Sequence, residues 1–115
     1  MKLLTKAICN KTPMLYSQEK VANPMVVAKF FTPDSNWTWY VIEASKVLLR
    51  DGIVEHFPMT EYQEGDDVLF FGLVQGFETE LGYWYLSDFD GVKGPLGLPI
   101  ERDLHWKPTS LQEVG

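Results

Sequence analysis

The run Val68-Leu69-Phe70-Phe71-Gly72-Leu73-Val74 is apolar on both of the faces that a strand presents, with no alternating polar residue to turn toward water. Such a strand is covered on both sides, which makes it the expected centre of a sheet. Flanking segments supply its neighbours. Met25 to Phe31 is β-branched and aromatic, and Thr32-Pro33-Asp34-Ser35-Asn36 then offers turn formers with the φ of Pro33 fixed. Trp37-Thr38-Trp39-Tyr40-Val41-Ile42 resumes the strand signal, with Trp37, Trp39 and Val41 on one face and Thr38, Tyr40 and Ile42 on the other. The two segments read as a β-hairpin.

Elsewhere the pattern is weaker. Residues 3 to 9 are expected to form a helical turn, and Pro13 to Asn23 an irregular approach to the first strand. Ala44 to Asp67 reads as a variable excursion, with a turn signal at Asp51-Gly52 and a strand or helical turn over Lys46 to Arg50. Gly76 to Gly82 is expected to be a turn and Tyr83 to Leu86 a short strand. Ser87, Asp88 and Asp90 then open a small helix that Gly94 and Pro95 end. Ile100 to Trp106 gives a last strand, and Ser110 to Glu113 has capping-box spacing. Short turns between successive strands favour a mainly antiparallel, meandering sheet of four to six strands with short helices covering one face, an α+β fold. With 115 residues, 45% of them hydrophobic, the expected organisation is one domain over residues 1–115.

Several function classes lose support. No Gly-rich phosphate loop, Gly-x-Ser-x-Gly elbow or His-Glu-x-x-His pair is present. Cys9 is the single cysteine, so disulfide scaffolds, cysteine zinc sites and dithiol redox chemistry drop out, and a buried apolar role is expected for it. Lys6 and Asn10 break the opening apolar run, so neither a signal-peptide core nor a membrane span is expected, and the protein is expected to be cytoplasmic. Residues 1–50 hold seven Lys/Arg against three Asp/Glu, whereas residues 51–115 hold three against thirteen. The acidic half disfavours direct contact with nucleic acid and suits a basic protein surface. Its bland alternative is that Glu55, Glu61, Glu64, Asp66 and Asp67 form a solvated loop that keeps the protein soluble.

Four segments together resemble a known family: Lys29 to Trp39, Leu69-Phe70-Phe71-Gly72, Glu80-Leu81-Gly82-Tyr83, and Gly94-Pro95-Leu96-Gly97-Leu98-Pro99-Ile100-Glu101-Arg102-Asp103-Leu104-His105-Trp106. They are similar, over residues 13 to 114, to the small bacterial proteins known as domain of unknown function 2958. The resemblance implies a frequent home on plasmids, phages and other mobile genetic elements. It brings no activity, cofactor or catalytic residue to carry over. The excursion from Lys46 to Gly65 looks longer than the family's usual connection.

Chemistry would sit in the last of those segments. On a strand from Ile100 to Trp106, Glu101, Asp103 and His105 share one face at steps of about 7 Å. Two of them, Asp103 and His105 foremost, can converge on a divalent metal, or the trio can act as general acid and base. The alternative is a solvated face with an Asp–His hydrogen bond. Arg102 falls on the apolar face and, if buried, needs a carboxylate such as Asp34 or Glu80, or else reads a phosphate or carboxylate ligand. Trp37, Trp39, Tyr40, Tyr83, Trp84 and Tyr85 crowd two adjacent strands. Most are expected in the core, and any left outside would make a protein-binding patch or a base-stacking platform.

The leading expectation is therefore a non-catalytic protein-binding module using its acidic surface and an aromatic patch, with Asp34, Trp37, Trp39, Tyr83, Trp84 and Arg102 as the binding candidates. The partner class is a basic nucleic-acid-processing or defence protein. No cofactor is expected, although a divalent metal is possible. The alternatives are a small metal-dependent hydrolase or nuclease built on Glu101, Asp103 and His105, with Arg102 on the anion, and a single-strand nucleic-acid binder.

Overall fold

A computed structural model describes residues 2–114. Thr5 opens the one α-helix among them, α1 (Lys6–Lys11), its side chain accepting the Ile8 N–H at 3.2 Å. The strands that follow are β1 (Met25–Val26), β2 (Ala28–Phe31), β3 (Thr38–Arg50), β4 (Ile53–Phe57), β5 (Asp67–Gln75), β6 (Thr79–Tyr85), β7 (Glu101–Arg102) and β8 (Thr109–Ser110). Three short 3-10 turns cover Met59–Glu61, Leu86–Phe89 and Leu111–Glu113. The α+β expectation is thus overturned, because the fold is mainly β. A helix of six residues is about 9 Å long and cannot cover a sheet face.

The sheet is antiparallel, with strand order β6-β5-β3-β2-β7 and β4 also on β3, while β1 and β8 form a separate two-stranded ribbon. Its organising element is β3, thirteen residues long. One edge of β3 pairs with β5 from Thr38 to Val47. The other edge is shared end to end, with β2 on Thr38 to Val41 and β4 on Lys46 to Arg50. The excursion expected after Ala44 is therefore an extension of β3 that turns back at Asp51 and Gly52. Both have positive φ, at 51° and 77°, as a tight two-residue hairpin turn requires.

Between β2 and β4 the edge of β3 would lie bare, and the chain before β1 fills the slot. The Ala44 N–H donates to the Pro13 carbonyl (3.0 Å), the Leu15 N–H to Ser45 Oγ (3.3 Å), and the Tyr16 and Gln18 N–H groups to the Glu43 carboxylate (3.0 and 2.7 Å). Buried polar groups need such partners, and Glu43 and Ser45 are 2% and 0% exposed. A register shift between Val41 and Glu43 sets Glu43 opposite Phe71.

The two faces of the sheet carry different cores. Ala28, Phe30, Trp39, Val41, Ala44, Val68, Phe70 and Trp84 pack on one side with Cys9, Met59 and Ile100. On the other, Tyr40 and Ile42 pack with Val26, beneath Trp106, Leu111 and Val114. Trp106 is anchored by its indole N–H on the Val26 carbonyl at 3.0 Å. No helix among the described residues is long and apolar enough to cross a membrane.

Candidate functional site

The Gly94 to Trp106 segment folds as two turns joined by a two-residue strand. In the first turn the Gly97 N–H donates to the Gly94 carbonyl (2.9 Å) and the Gly94 N–H to Leu98 (3.1 Å), with Gly97 at φ 79°. Asp34, from the β2–β3 turn, reaches across to accept the Leu96 N–H at 2.6 Å. Its carboxylate lies so close to Gly94 that any Cβ there would overlap it. Ile100 then enters the main core, Glu101 pairs with Phe31 and Arg102 with Phe30.

Beyond Arg102 the expected strand does not continue. Asp103 Oδ1 accepts the His105 N–H at 2.9 Å and its carbonyl accepts the Trp106 N–H at 3.3 Å, which turns the chain. Glu101, Asp103 and His105 therefore do not form a ladder on one strand face. They line, with Lys29, Phe31, Arg102 and Leu104, a shallow groove of about 380 Å³. No three His, Cys, Asp or Glu among the described residues are grouped to hold a metal ion. The Arg102 guanidinium donates to the Lys2 carbonyl at 2.9 Å. Asp34 serves the Gly94 turn, and Glu80, on β6, lies at the opposite end of the strand order from β7, so neither is placed as the expected clamp.

Of the aromatic candidates, Trp39 and Trp84 belong to the core. Trp84 stacks on Phe70 with centroids 5.3 Å apart, and Trp39 meets Phe89 at 4.8 Å. Half-buried Trp37 stacks on Trp39 and holds Phe77, itself 96% exposed, edge-on at 5.5 Å. Tyr83 is 53% exposed on the opposite face, packed at 4.8 Å on Phe71 and 6.4 Å from Tyr16. Leu81, two residues back along β6 and 52% exposed, shares that face. Partial burial, with Tyr16, Glu43 and Glu19 nearby, holds the Tyr83 hydroxyl above its ordinary pKa.

Sequence reasoning did not single out Tyr16, Leu81 or Glu43. A signal for Glu43 was present, since it is the lone carboxylate inside the apolar stretch Tyr40 to Ala44. Nothing local marks Tyr16, whose place depends on a segment with no strand or helix periodicity.

Folding also redistributes the charge. The salt bridges Lys2–Glu64 (3.5 Å), Lys46–Asp66 (3.2 Å) and Arg50–Glu55 (3.2 Å) each join a cation of the first fifty residues to an acid beyond them. Glu78, just before β6, and Glu80, near its start, are exposed.

Fold and site together define an antiparallel β protein with exposed aromatic surface at Phe77, in the β5–β6 turn, and at Tyr83, on the outer strand β6. A family model described as Protein of unknown function (DUF2958) matches residues 54–111, and the chain belongs to that family. The match takes in Tyr83, Trp84 and the whole Gly94 to Trp106 segment. It begins inside β4, so the second half of the excursion after Lys46 falls within it. Comparison with curated proteins and with solved structures found no match.

Proposed function

We propose that this protein is a non-catalytic binding module that engages a basic protein partner through the face of β6 bearing Leu81 and Tyr83. The observation that supports it is the exposure of Tyr83, Leu81 and Tyr16 (53%, 52% and 50%) together on one face, with the exposed Glu19 near the Tyr83 hydroxyl. Tyrosines of this kind dominate interface energetics, and acids beside them favour a cationic partner and speed its approach. A home on mobile elements, as the resemblance implies, suits a partner that processes or attacks DNA, a class with basic surfaces. An enzyme built on Glu101, Asp103 and His105 has less support, because Asp103 is committed to a backbone turn.

The test compares capture from a bacterial lysate by the unmodified protein and by a Tyr16→Ser/Tyr83→Ser variant, eluted with salt. A basic protein released by salt and lost with the variant supports the reading. Equal capture by both proteins overturns it.

A further inference from the structure

Strand β6 ends the strand order, so the outer edge of its seven residues, Thr79–Tyr85, has no neighbour in the sheet. Natural edge strands are normally guarded by charged side chains, lysine above all, by proline, by a bulge or by extreme shortness. Thr-Glu-Leu-Gly-Tyr-Trp-Tyr contains neither proline nor lysine, and its pairing with β5 runs from Leu69↔Tyr85 to Gln75↔Thr79 without a register shift. From these observations we infer that two copies of this chain associate edge to edge through β6, antiparallel about a two-fold axis at Gly82, forming one continuous sheet across the dimer.

The register follows from the sequence of the strand. Gly82 is its midpoint, so centring there pairs all seven residues of each copy. Leu81 of one copy then faces Tyr83 of the partner subunit, and both lie on the same sheet face. Each is half exposed in the isolated chain. At the axis, a Cβ added at Gly82 would meet nothing within 4 Å, so a side chain can be introduced there without displacing a neighbour. Charge does not oppose the pairing. Glu80 is the one charged residue of the strand, and it falls opposite Trp84 of the partner subunit. The two Glu80 side chains are separated by four residues along the strand, roughly 13 Å, against a screening length of about 8 Å at physiological salt. The association is independent of the basic partner proposed above. It would set two Leu81 and Tyr83 faces side by side, doubling the surface that such a partner meets.

Sedimentation velocity across a concentration series reads the assembly directly. A species of twice the 13.2 kDa chain mass is expected, with Leu81→Lys and Tyr83→Lys each weakening association about tenfold or more by placing an ammonium in the new edge. A Gly82→Cys variant adds a reading of register. Opposed residues of antiparallel strands have Cα atoms about 4.5–5.5 Å apart, inside the disulfide range. Mild oxidation should therefore cross-link Gly82→Cys far faster than Leu49→Cys, at an exposed site on β3, while the native Cys9, buried, leaves the unmodified chain uncoupled. A chain that stays at 13.2 kDa at every concentration overturns the inference. So does a dimer indifferent to both lysine variants, or cross-linking no faster at Gly82→Cys than at Leu49→Cys.

Discussion

The Glu43 carboxylate holds Gln18 against the edge of β3, accepting its backbone N–H at 2.7 Å while the second oxygen accepts that of Tyr16. A buried anion with two amide donors replaces, over that short length, the strand partner that β2 and β4 leave out. Tyr16 adopts φ 71° there, outside the usual range for a side chain with a Cβ.

Glu43→Ala should therefore cost about 3 kcal/mol, since two donors lose a charged acceptor in a buried site. Urea unfolding measures the loss, and limited proteolysis should show new cleavage near Tyr16. Stability within about 0.5 kcal/mol of the unmodified protein would mean that the segment from Pro13 to Gln18 is held by other contacts.

Gly94→Ala is expected to destabilise the protein by about 2 kcal/mol because the added methyl overlaps the Asp34 carboxylate. The cost should fall below about 1 kcal/mol when Asp34 is already alanine. Additive losses in that double-mutant cycle would refute the steric account.

Acid should act through Asp66. The Gln63 N–H (2.8 Å), then Lys46 at 3.2 Å, hold its carboxyl below the ordinary value of 3.8. A lowered native pKa contributes stability above the unfolded value, which is lost as pH falls through it. The stability difference between the unmodified protein and Asp66→Asn should thus be present at neutral pH and shrink below pH 3.8. A difference that does not change with pH would point away from the carboxylate.

Alkali works with the opposite sign. Burial raises the Cys9 thiol above its ordinary 9.0, and the Tyr40 and Tyr62 hydroxyls above 10.0. Their contribution is intact below those values and is lost as pH climbs through and beyond them, because the unfolded chain ionises first. The urea midpoint should decline above pH 9.0, less steeply in Cys9→Ala. Native Cys9 should react sluggishly with thiol reagents at neutral pH.

Asp103→Ala should cost about 1 kcal/mol by removing the acceptor that closes the turn onto His105. His105→Ala, which keeps the backbone N–H, should stay within about 0.5 kcal/mol of the unmodified protein. Equal losses from the two would return the imidazole to consideration.

Much of the sheet was legible because its signals are local. Val68 to Val74 is a strand, β5, as expected, but it lies between β3 and the edge strand β6, and the centre of the sheet is β3 instead. Trp39 and Val41 face one core and Tyr40 and Ile42 the other, as alternation requires. Part of what escaped depends on distant partners. β6 begins at Thr79 rather than Tyr83 because pairing with β5 overrides the weak strand propensity of Glu80 and Gly82. The Ile100 to Trp106 alternation looked regular, yet the Asp103 carboxylate captured a backbone N–H two residues on. The candidate site suffered most, since its trio assumed a strand that the turn cuts short.

The shared edge of β3 also has a consequence in time. The slot for Pro13 to Gln18 is made by Glu43, Ala44 and Ser45 of β3, which come later in the chain than the segment they hold. That segment therefore has no binding place until the later sequence has been made, and it is the sort of long-range closure that slows folding. Until then the middle of β3, from Ile42 to Ser45, is an open seam in a growing sheet, and the segment from Pro13 to Gln18 is what sews it shut.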